Sequence, residues 1–267
     1  MLMEAKHNIL FFFQAVKTSI LSAAAYKVNF VIQTVFMMIN NSSFLLFWSV
    51  VFSVNKGNMK GIVYQDILLL WSIPVISFGV CYFFFGGVEN LNTFIISGQL
   101  DSFLLQPKNP LINVLTSKCI FSAFGDLLYG LIIGIVATNG NIFKFLIVVF
   151  FGTFGSVFYI ATEVILRSLS VFLKDTGQIA DKYKNSLLTT FSSYPENIFK
   201  SGLKLLLYSV IPVAYISYLP IKLVNYFQLK YAISIIIAGF IYLMIAYRVF
   251  SLSLKYYESG NSISMKN

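Results

Sequence analysis

The sequence predicts an all-α protein that crosses a membrane several times. Of its 267 residues, 58% are hydrophobic and only 11% are charged, and the mean hydropathy is +0.80. Soluble domains carry about 25% charged residues, and no soluble core needs so much apolar surface. Long apolar stretches alternate with short polar ones, as in proteins with several membrane helices. We therefore treat residues 1–267 as a single transmembrane domain.

The composition also argues against several kinds of site. The net charge of +9 marks span ends and membrane faces here, so we expect no nucleic acid partner. One histidine, His7, and two scattered cysteines, Cys81 and Cys119, offer no catalytic triad and no metal site. None of the 16 glycines is followed by lysine, which excludes a phosphate-binding loop of the Gly-Lys-Ser/Thr type. Any nucleotide that drives this protein must bind to another chain.

Residues 1–27 predict an amphipathic helix that lies in the membrane interface. Ile9, Phe12 and Val16 share one helical face, with lysines around them. A signal peptide is the alternative, because the alanines at 23–25 resemble a cleavage site. Lys17 interrupts the apolar region, and a full span follows at once, which favours the interfacial helix.

The first two spans cover about 28–54 and 66–85. Asn40 and Asn41 lie in the middle of the first span, where an amide that faces lipid is costly. We expect them to face another helix or a polar cavity, and hydrogen bonds that only pack the helices together are the structural alternative.

The third and fourth spans cover about 111–138 and 142–173. Asp126 lies well inside the third span, and its own helix offers it no partner. Glu163 and Arg167 are four residues apart on the fourth span, so they can form an ion pair. A structural ion pair is the simpler interpretation of these two residues, whereas Asp126 remains open between structure and function.

Two stretches compete for the fifth span. Residues 203–222 are apolar but contain two prolines, whereas residues 177–194 include Asp181 and Lys184, whose charges are costly at a membrane centre. The last span, about 231–252, is clear. With the N-terminus in the cytoplasm, 12 of the 19 basic residues fall on the cytoplasmic side and 7 outside, so both termini are expected inside.

The stretch 86–110 lies between the second and third spans. Its apolar residues repeat at three and four positions before and after Gly98, which predicts two short amphipathic helices joined there. Such a segment is suited to docking a partner, although amphipathic loops are also common in membrane proteins. The candidate contact residues are Glu89, Leu91, Ile95, Gly98, Leu100, Asp101, Phe103 and Leu104.

Two blocks of sequence resemble a known family. Gly98-Gln99-Leu100-Asp101 followed by Leu104-Leu105-Gln106-Pro107 resembles the Gly-x-Leu-Asp-x-x-Leu-Leu-x-Pro signature of type-2 ABC (ATP-binding cassette) transporter permeases. The stretch 194–199, with Ile211-Pro212-Val213-Ala214 and Pro220 after it, is similar to a block before the last span in a little-characterised bacterial branch.

The resemblance implies six transmembrane helices, an N-terminal amphipathic helix and a cytoplasmic coupling helix between spans 2 and 3. Two cytoplasmic ABC ATPase subunits would carry ATP and Mg, and this chain would hold no cofactor. A second permease, the same or a homologous chain, would complete the dimer in the bacterial cell membrane. Residues 195–226 would be outer re-entrant helices, which makes 177–194 the fifth span.

The expected function is then that of a permease in an ATP-driven exporter, which moves a peptide, drug or lipid by alternating access and has no catalytic residues of its own. Polar groups inside the spans are the candidates for the translocation path: Asn40, Asn41, Asp126, Glu163 and Arg167. The alternatives are an ion-coupled secondary transporter and a membrane-embedded lipid-modifying enzyme. The scattered carboxylates argue against the enzyme, and the absence of an internal repeat argues against the secondary transporter.

Overall fold

The computed structural model describes residues 27–55, 62–173 and 176–258, together with Gln14, Lys17 and Thr18. The expected interfacial helix over 1–27, and the signal peptide that competes with it, lie almost wholly outside the described residues. Within these, the chain forms helices and turns without a β-strand. The α-helices are α1 (Lys27–Val54), α2 (Tyr64–Phe85), α3 (Leu91–Ile96), α4 (Asp101–Leu104), α5 (Pro110–Leu115), α6 (Ser122–Ala137), α7 (Ile142–Ser168), α8 (Thr176–Lys182), α9 (Thr190–Ser192), α10 (Ser201–Ser209), α11 (Leu219–Tyr226) and α12 (Leu229–Lys255).

Four helical stretches among the described residues are long and apolar enough to cross a membrane: α1, Tyr64–Ile96, which contains α2 and α3, Ile142–Val171, which contains α7, and α12. α1, Ile142–Val171 and α12 agree closely with the predicted spans 1, 4 and 6, whereas Tyr64–Ile96 begins with span 2 and continues into the segment 86–110. A bent pair, α10 with residues 214–226, raises the number to five if it counts as one span. The six-span topology therefore remains a prediction. Its remaining spans would have to be formed by shorter or bent helices.

Helix α2 is the centre of the fold. In its most apolar stretch 83% of the residues are buried, against 22% for α1 and for α12, which lie at the periphery. Small residues let α2 approach its neighbours: the Ser72 hydroxyl donates to the carbonyl oxygen of Gly130 on α6 at 2.7 Å, and Ser77 donates to that of Gly152 on α7 at 2.7 Å. Close helix contact through small residues is how membrane helices associate without a hydrophobic driving force.

The predicted third span is not one continuous helix. It is broken between α5 and α6, where the backbone NH of Ile120 donates to the carbonyl oxygen of Tyr82 on α2 at 3.1 Å. A Cβ atom on Gly87 would lie 1.9 Å from the carbonyl oxygen of Val114, so the end of α2 presses directly on this break. Hydropathy could not predict the interruption, because it follows from a backbone contact between segments distant in sequence.

The bundle has two distinct ends. We call the end with residues 86–110 and the last turn of α7 the coupling end. The opposite end, where α2 begins and a turn at Asn139 joins α6 to α7, is the turn end. There Asn225 donates a side-chain hydrogen bond to Asp66 at 2.9 Å, which brings the end of α11 to the start of α2.

Residues 176–192 form a continuous helical segment from α8 to α9, with a π-helix at Tyr183–Thr189. It begins at the coupling end, where Lys184 binds Glu89 at 2.8 Å, and it leads toward the turn end, where Tyr194 packs on Trp48. The chain then bends by 83° between α10 and residues 214–226.

Both ends of the segment 195–226 lie near the turn end. Lys222 forms a 2.6 Å ion pair with Glu196, and these two residues line one pocket together with Asp66 and Asn225. The segment therefore leaves the turn end and comes back to it, instead of running straight through the bundle.

Candidate functional site

The segment 86–110 folds against the coupling end. A 3₁₀-helix at Gly86–Asn90 leads into α3, and α4 follows after Gly98, whose positive φ of 74° favours glycine. The NH of Leu100 donates to the carbonyl oxygen of Phe94 at 3.0 Å, which closes the turn between the two helices. The structure thus has a short helix on each side of Gly98, where the sequence predicts them.

The predicted contact residues divide into two faces. Leu91, Ile95 and Leu100 are buried within the chain, with 0%, 1% and 0% of their surface exposed. Leu104 is 38% exposed and its neighbour Leu105 is 86% exposed. The inner face fixes the segment to the bundle, and only the outer face offers an apolar surface to a partner.

Phe103 lies between these two faces, half-buried, with its ring centroid 5.1 Å from that of Phe94. Asp101 is also half-buried. Burial and the charge of Asp101 raise the pKa of Tyr257, which follows α12, to about 12. The chain after the last long helix therefore lies close to this segment.

Glu163 and Arg167 form the ion pair that their spacing predicts. The Nε atom of Arg167 lies 2.5 Å from Oε2 of Glu163, and both side chains are buried, with 3% and 2% exposed. Arg167 binds two further groups: Oδ1 of Asp181 at 2.6 Å and Oδ1 of Asn92, on α3, at 3.0 Å. The pair therefore connects α7 to the segment 86–110 and to α8.

Lys184 binds on the other side of Glu163. Its Nζ atom lies 2.8 Å from Oε1 of Glu89, 3.6 Å from Asp181 and 4.0 Å from Glu163. The same Nζ lies 4.7 Å from the ring centroid of Tyr82, whose hydroxyl donates to Glu163 at 2.9 Å. Lys184 thus joins the π-helix to α2, α7 and the 3₁₀-helix before α3.

These groups form one charge network: Glu89, Glu163, Arg167, Asp181 and Lys184. Three carboxylates surround two cations, and exposure rises from 2% at Glu163 to 52% at Asp181. Burying such charges is costly unless each has partners of opposite charge and further hydrogen bonds. Moving the segment 86–110 away from α7 and the π-helix would therefore break charged contacts, which couples the positions of these elements.

A second polar cluster, separate from the charge network, lines a cavity between the helices. Asn41 is buried and donates a hydrogen bond to Oδ1 of Asp126 at 2.7 Å, which joins α1 to α6. The two residues line a cavity of about 160 Å³, as do Asn40 and Asn185. The partner that Asp126 lacks in its own helix is thus supplied by α1.

Most of this chain matches one known protein family. The family model described as "ABC-2 family transporter protein" matches residues 37–261, which is most of the chain. The chain belongs to the ABC-2 family. No curated protein and no solved structure matches it. Membership makes the chain the membrane-spanning transport component of an ABC transporter, which is not itself catalytic, and it implies an ATP-binding partner.

In this ABC-2 permease, the five residues predicted for the translocation path fall into two groups. Glu163 and Arg167 belong to the charge network at the coupling end, whereas Asn40, Asn41 and Asp126 line the cavity. The structure does not bring the two groups into one site. They are connected through the π-helix, which carries Lys184 to the network and Asn185 to the cavity.

Sequence reasoning missed Lys184, Asp181 and Asn92 as members of the site. In the sequence, the charges at 181 and 184 argue against a membrane helix there, because hydropathy gives each one the cost of an isolated charge. A signal was present: Glu163 and Arg167 lie in an apolar helix, and buried charges of this kind need more partners than each other. The sequence indicates Glu89, the acidic residue before α3, as a candidate, but it does not reveal that Lys184 is its partner.

Proposed function

We propose that this chain is the permease subunit of an ATP-driven exporter, which moves an amphipathic or hydrophobic substrate out of the cell by alternating access. Two cytoplasmic ATP-binding subunits, carrying ATP and Mg, would dock on the segment 86–110. A second permease, identical or homologous, would complete the pore. The observation that carries this proposal is the charge network, which connects that segment to α2, α7 and the π-helix.

The network gives the segment the contacts that a coupling element needs. Glu89 and Asn92 bind Lys184 and Arg167, so a displacement of α3 by a partner acts directly on α7 and on the π-helix. Leu104 and Leu105 are exposed on the outer side, where an ATP-binding subunit would have access to them. We propose that the partner moves this outer face and that the network transmits the movement to the spans.

We further propose six membrane spans, with residues 176–192 as the fifth and 195–226 as a re-entrant pair of helices. The ion pairs of Lys184 support this topology, because they remove the objection that its charge would be unpaired in a membrane. The 83° bend and the Glu196–Lys222 pair near Asp66 support the re-entrant segment. Both termini would then lie in the cytoplasm of a bacterial cell, as the basic residues predict.

The docking surface is tested by co-purification. We would express the tagged chain with its neighbouring genes, isolate it in mild detergent and quantify any ATP-binding subunit that accompanies it. The variant Leu104→Glu places a charge on the outer face and should reduce recovery of the subunit about tenfold or more, since loss of a central apolar contact costs roughly 2 kcal/mol. Leu105→Glu should act in the same direction.

Leu229→Glu is the matched control. Leu229 is 70% exposed at the start of α12, whereas the segment 86–110 lies near the residues that follow the other end of this helix, so this variant should keep the subunit. An unchanged recovery with Leu104→Glu and Leu105→Glu would show that the docking surface is elsewhere. A wild-type chain that brings no ATP-binding subunit would refute the proposed function itself. Gel electrophoresis of the same purified sample would show whether a second permease chain is present.

A further inference from the structure

The cavity beside Asp126 contains polar groups that the fold leaves unsatisfied. The Oδ2 atom of Asp126 has no hydrogen-bond partner among the described residues, although the residue is only 4% exposed. The indole nitrogen of Trp71, which lines the same cavity, is also buried and has no hydrogen-bond partner in the described part of the chain. Buried polar groups in native proteins are rarely unpaired, so those that are call for an explanation.

The environment of Asp126 favours a cation. One oxygen accepts a single amide hydrogen bond from Asn41, and the other oxygen accepts none from the residues that the structure describes. In an apolar medium a carboxylate is stable only with an opposite charge or several donors. Lys184, the network cation on the π-helix, is engaged by Glu89, so a bound molecule has to supply the missing charge.

The walls and the size of the cavity narrow the class of ligand. Trp71, Phe78 and Tyr159 line it, and aromatic faces attract organic cations. Its volume of about 160 Å³ is below the roughly 300–1,000 Å³ of sites for drug-sized molecules. It therefore accommodates a head group. Asn40 and Asn185, both exposed, lie at its mouth, and the exposed Phe36 and Ile39 of α1 continue the apolar surface outside.

We infer that the cavity binds the protonated amine head of an amphipathic organic cation, with the Asp126 carboxylate as its counter-ion. The amine occupies the cavity between α1, α2 and the π-helix, and the apolar body extends through the mouth along α1. Describing this cation as the exported substrate rests on the proposed function. Binding of the cation to the chain does not.

The chain supplies its own reporter for this site. It has two tryptophans, and Trp71 lines the cavity, so Trp48→Phe leaves Trp71 as the only indole. The chain is held in nanodiscs at neutral pH. The probe is 4-(4-bromophenyl)butylamine, whose bromine quenches indole fluorescence at contact. The matched neutral probe is 4-(4-bromophenyl)butan-1-ol, which enters the bilayer but carries no charge.

We expect saturable quenching of Trp71 by the amine and at least tenfold weaker binding of the alcohol. Asp126→Asn in the Trp48→Phe background keeps the shape of the side chain and should weaken amine binding at least tenfold, without affecting the alcohol. Asp66→Asn, which removes a carboxylate outside the cavity, should leave amine binding unchanged. Equal quenching by the two probes, or equal amine affinity with and without the Asp126 charge, would overturn the inference.

A second variant avoids the core. Asn185→Lys places a cation at the exposed mouth, so folding should be preserved while amine binding falls and alcohol binding does not. Unchanged amine binding in a folded Asn185→Lys chain would also contradict the inference. The assay uses the permease without its partner. Failure here therefore leaves the co-purification test of docking untouched, and a chain that binds the amine but recruits no ATP-binding subunit refutes only the exporter.

Discussion

At the scale of single residues, the charge network explains why a strongly apolar chain keeps five charged side chains together. Each cation contacts more than one carboxylate, and the neutral Asn92 and Tyr82 satisfy further positions. A cluster of this kind stabilises the fold only while it is complete, because removal of one member leaves an uncompensated charge in a buried place. Loss of Lys184 should show this dependence most clearly, because its ammonium group contacts three carboxylates.

We predict that Lys184→Met destabilises the permease by about 3–5 kcal/mol, because three carboxylates then remain with one cation. Thermal unfolding in detergent, followed by tryptophan fluorescence, would measure the loss. The double variant Glu89→Gln/Lys184→Met should recover part of it, since both partners of the 2.8 Å pair become neutral. Lys182→Met, at an exposed position two residues away, should change stability by less than about 0.5 kcal/mol. Strictly additive effects of the Glu89 and Lys184 changes would show that the two side chains are not coupled.

At the scale of helices, hydropathy predicts the long elements and periodicity predicts the two short helices beside Gly98, but neither predicts the break in the third span. The first span was expected at 28–54 and is Lys27–Val54, and the last was expected at 231–252 and is Leu229–Lys255. These helices follow from length and apolar composition alone. The break between α5 and α6 involves a backbone contact with α2, which a single sequence does not display, whereas the bend before residue 214 falls at Pro212, which the sequence shows.

The contact at Gly87 gives the prediction that belongs to this scale. A Cβ atom there would lie 1.9 Å from the carbonyl oxygen of Val114 and 2.5 Å from Oγ of Ser117, so Gly87→Ala forces the break and the start of the segment 86–110 apart. We expect a loss of about 1–3 kcal/mol in the free energy of unfolding. The control is Gly202→Ala, where a Cβ atom meets nothing within 4 Å and alanine should stabilise the helix slightly. The two variants should therefore differ in sign, and similar unfolding temperatures would disprove the close contact.

The candidate site was predictable only in part, because its contacts also join segments that are distant in the sequence. The sequence indicates that Asn41 and Asp126 need partners, and the structure pairs them, but nothing in either span identifies the other as that partner. For Lys184, the hydropathy argument was misleading. It assigns every charge the cost of an isolated ion, whereas this one lies among Glu89, Asp181 and Glu163. Pairing over about 95 residues of sequence cannot be deduced from local pattern.

At the scale of the whole molecule, the arrangement of the chain across the bilayer decides between the two candidate fifth spans. The chain has two cysteines, at 81 and 119, so a background with alanine at both positions makes single new cysteines readable by a membrane-impermeant maleimide in intact cells. Asn139→Cys reports the turn end, and Gln106→Cys reports the coupling end. Asn197→Cys and Gln228→Cys report the two ends of the segment 195–226.

If that segment is re-entrant, Asn197→Cys and Gln228→Cys are labelled from the same side as Asn139→Cys, whereas Gln106→Cys is labelled only after the cells are opened. The physical basis is that the Glu196–Lys222 and Asp66–Asn225 contacts hold both ends of the segment at the turn end. If residues 203–222 cross the membrane instead, positions 197 and 228 are labelled from opposite sides. The first pattern places Lys184 inside the bilayer, where its charge requires the network. The second moves residues 176–192 out of the bilayer and would show that the proposed fifth span is wrong.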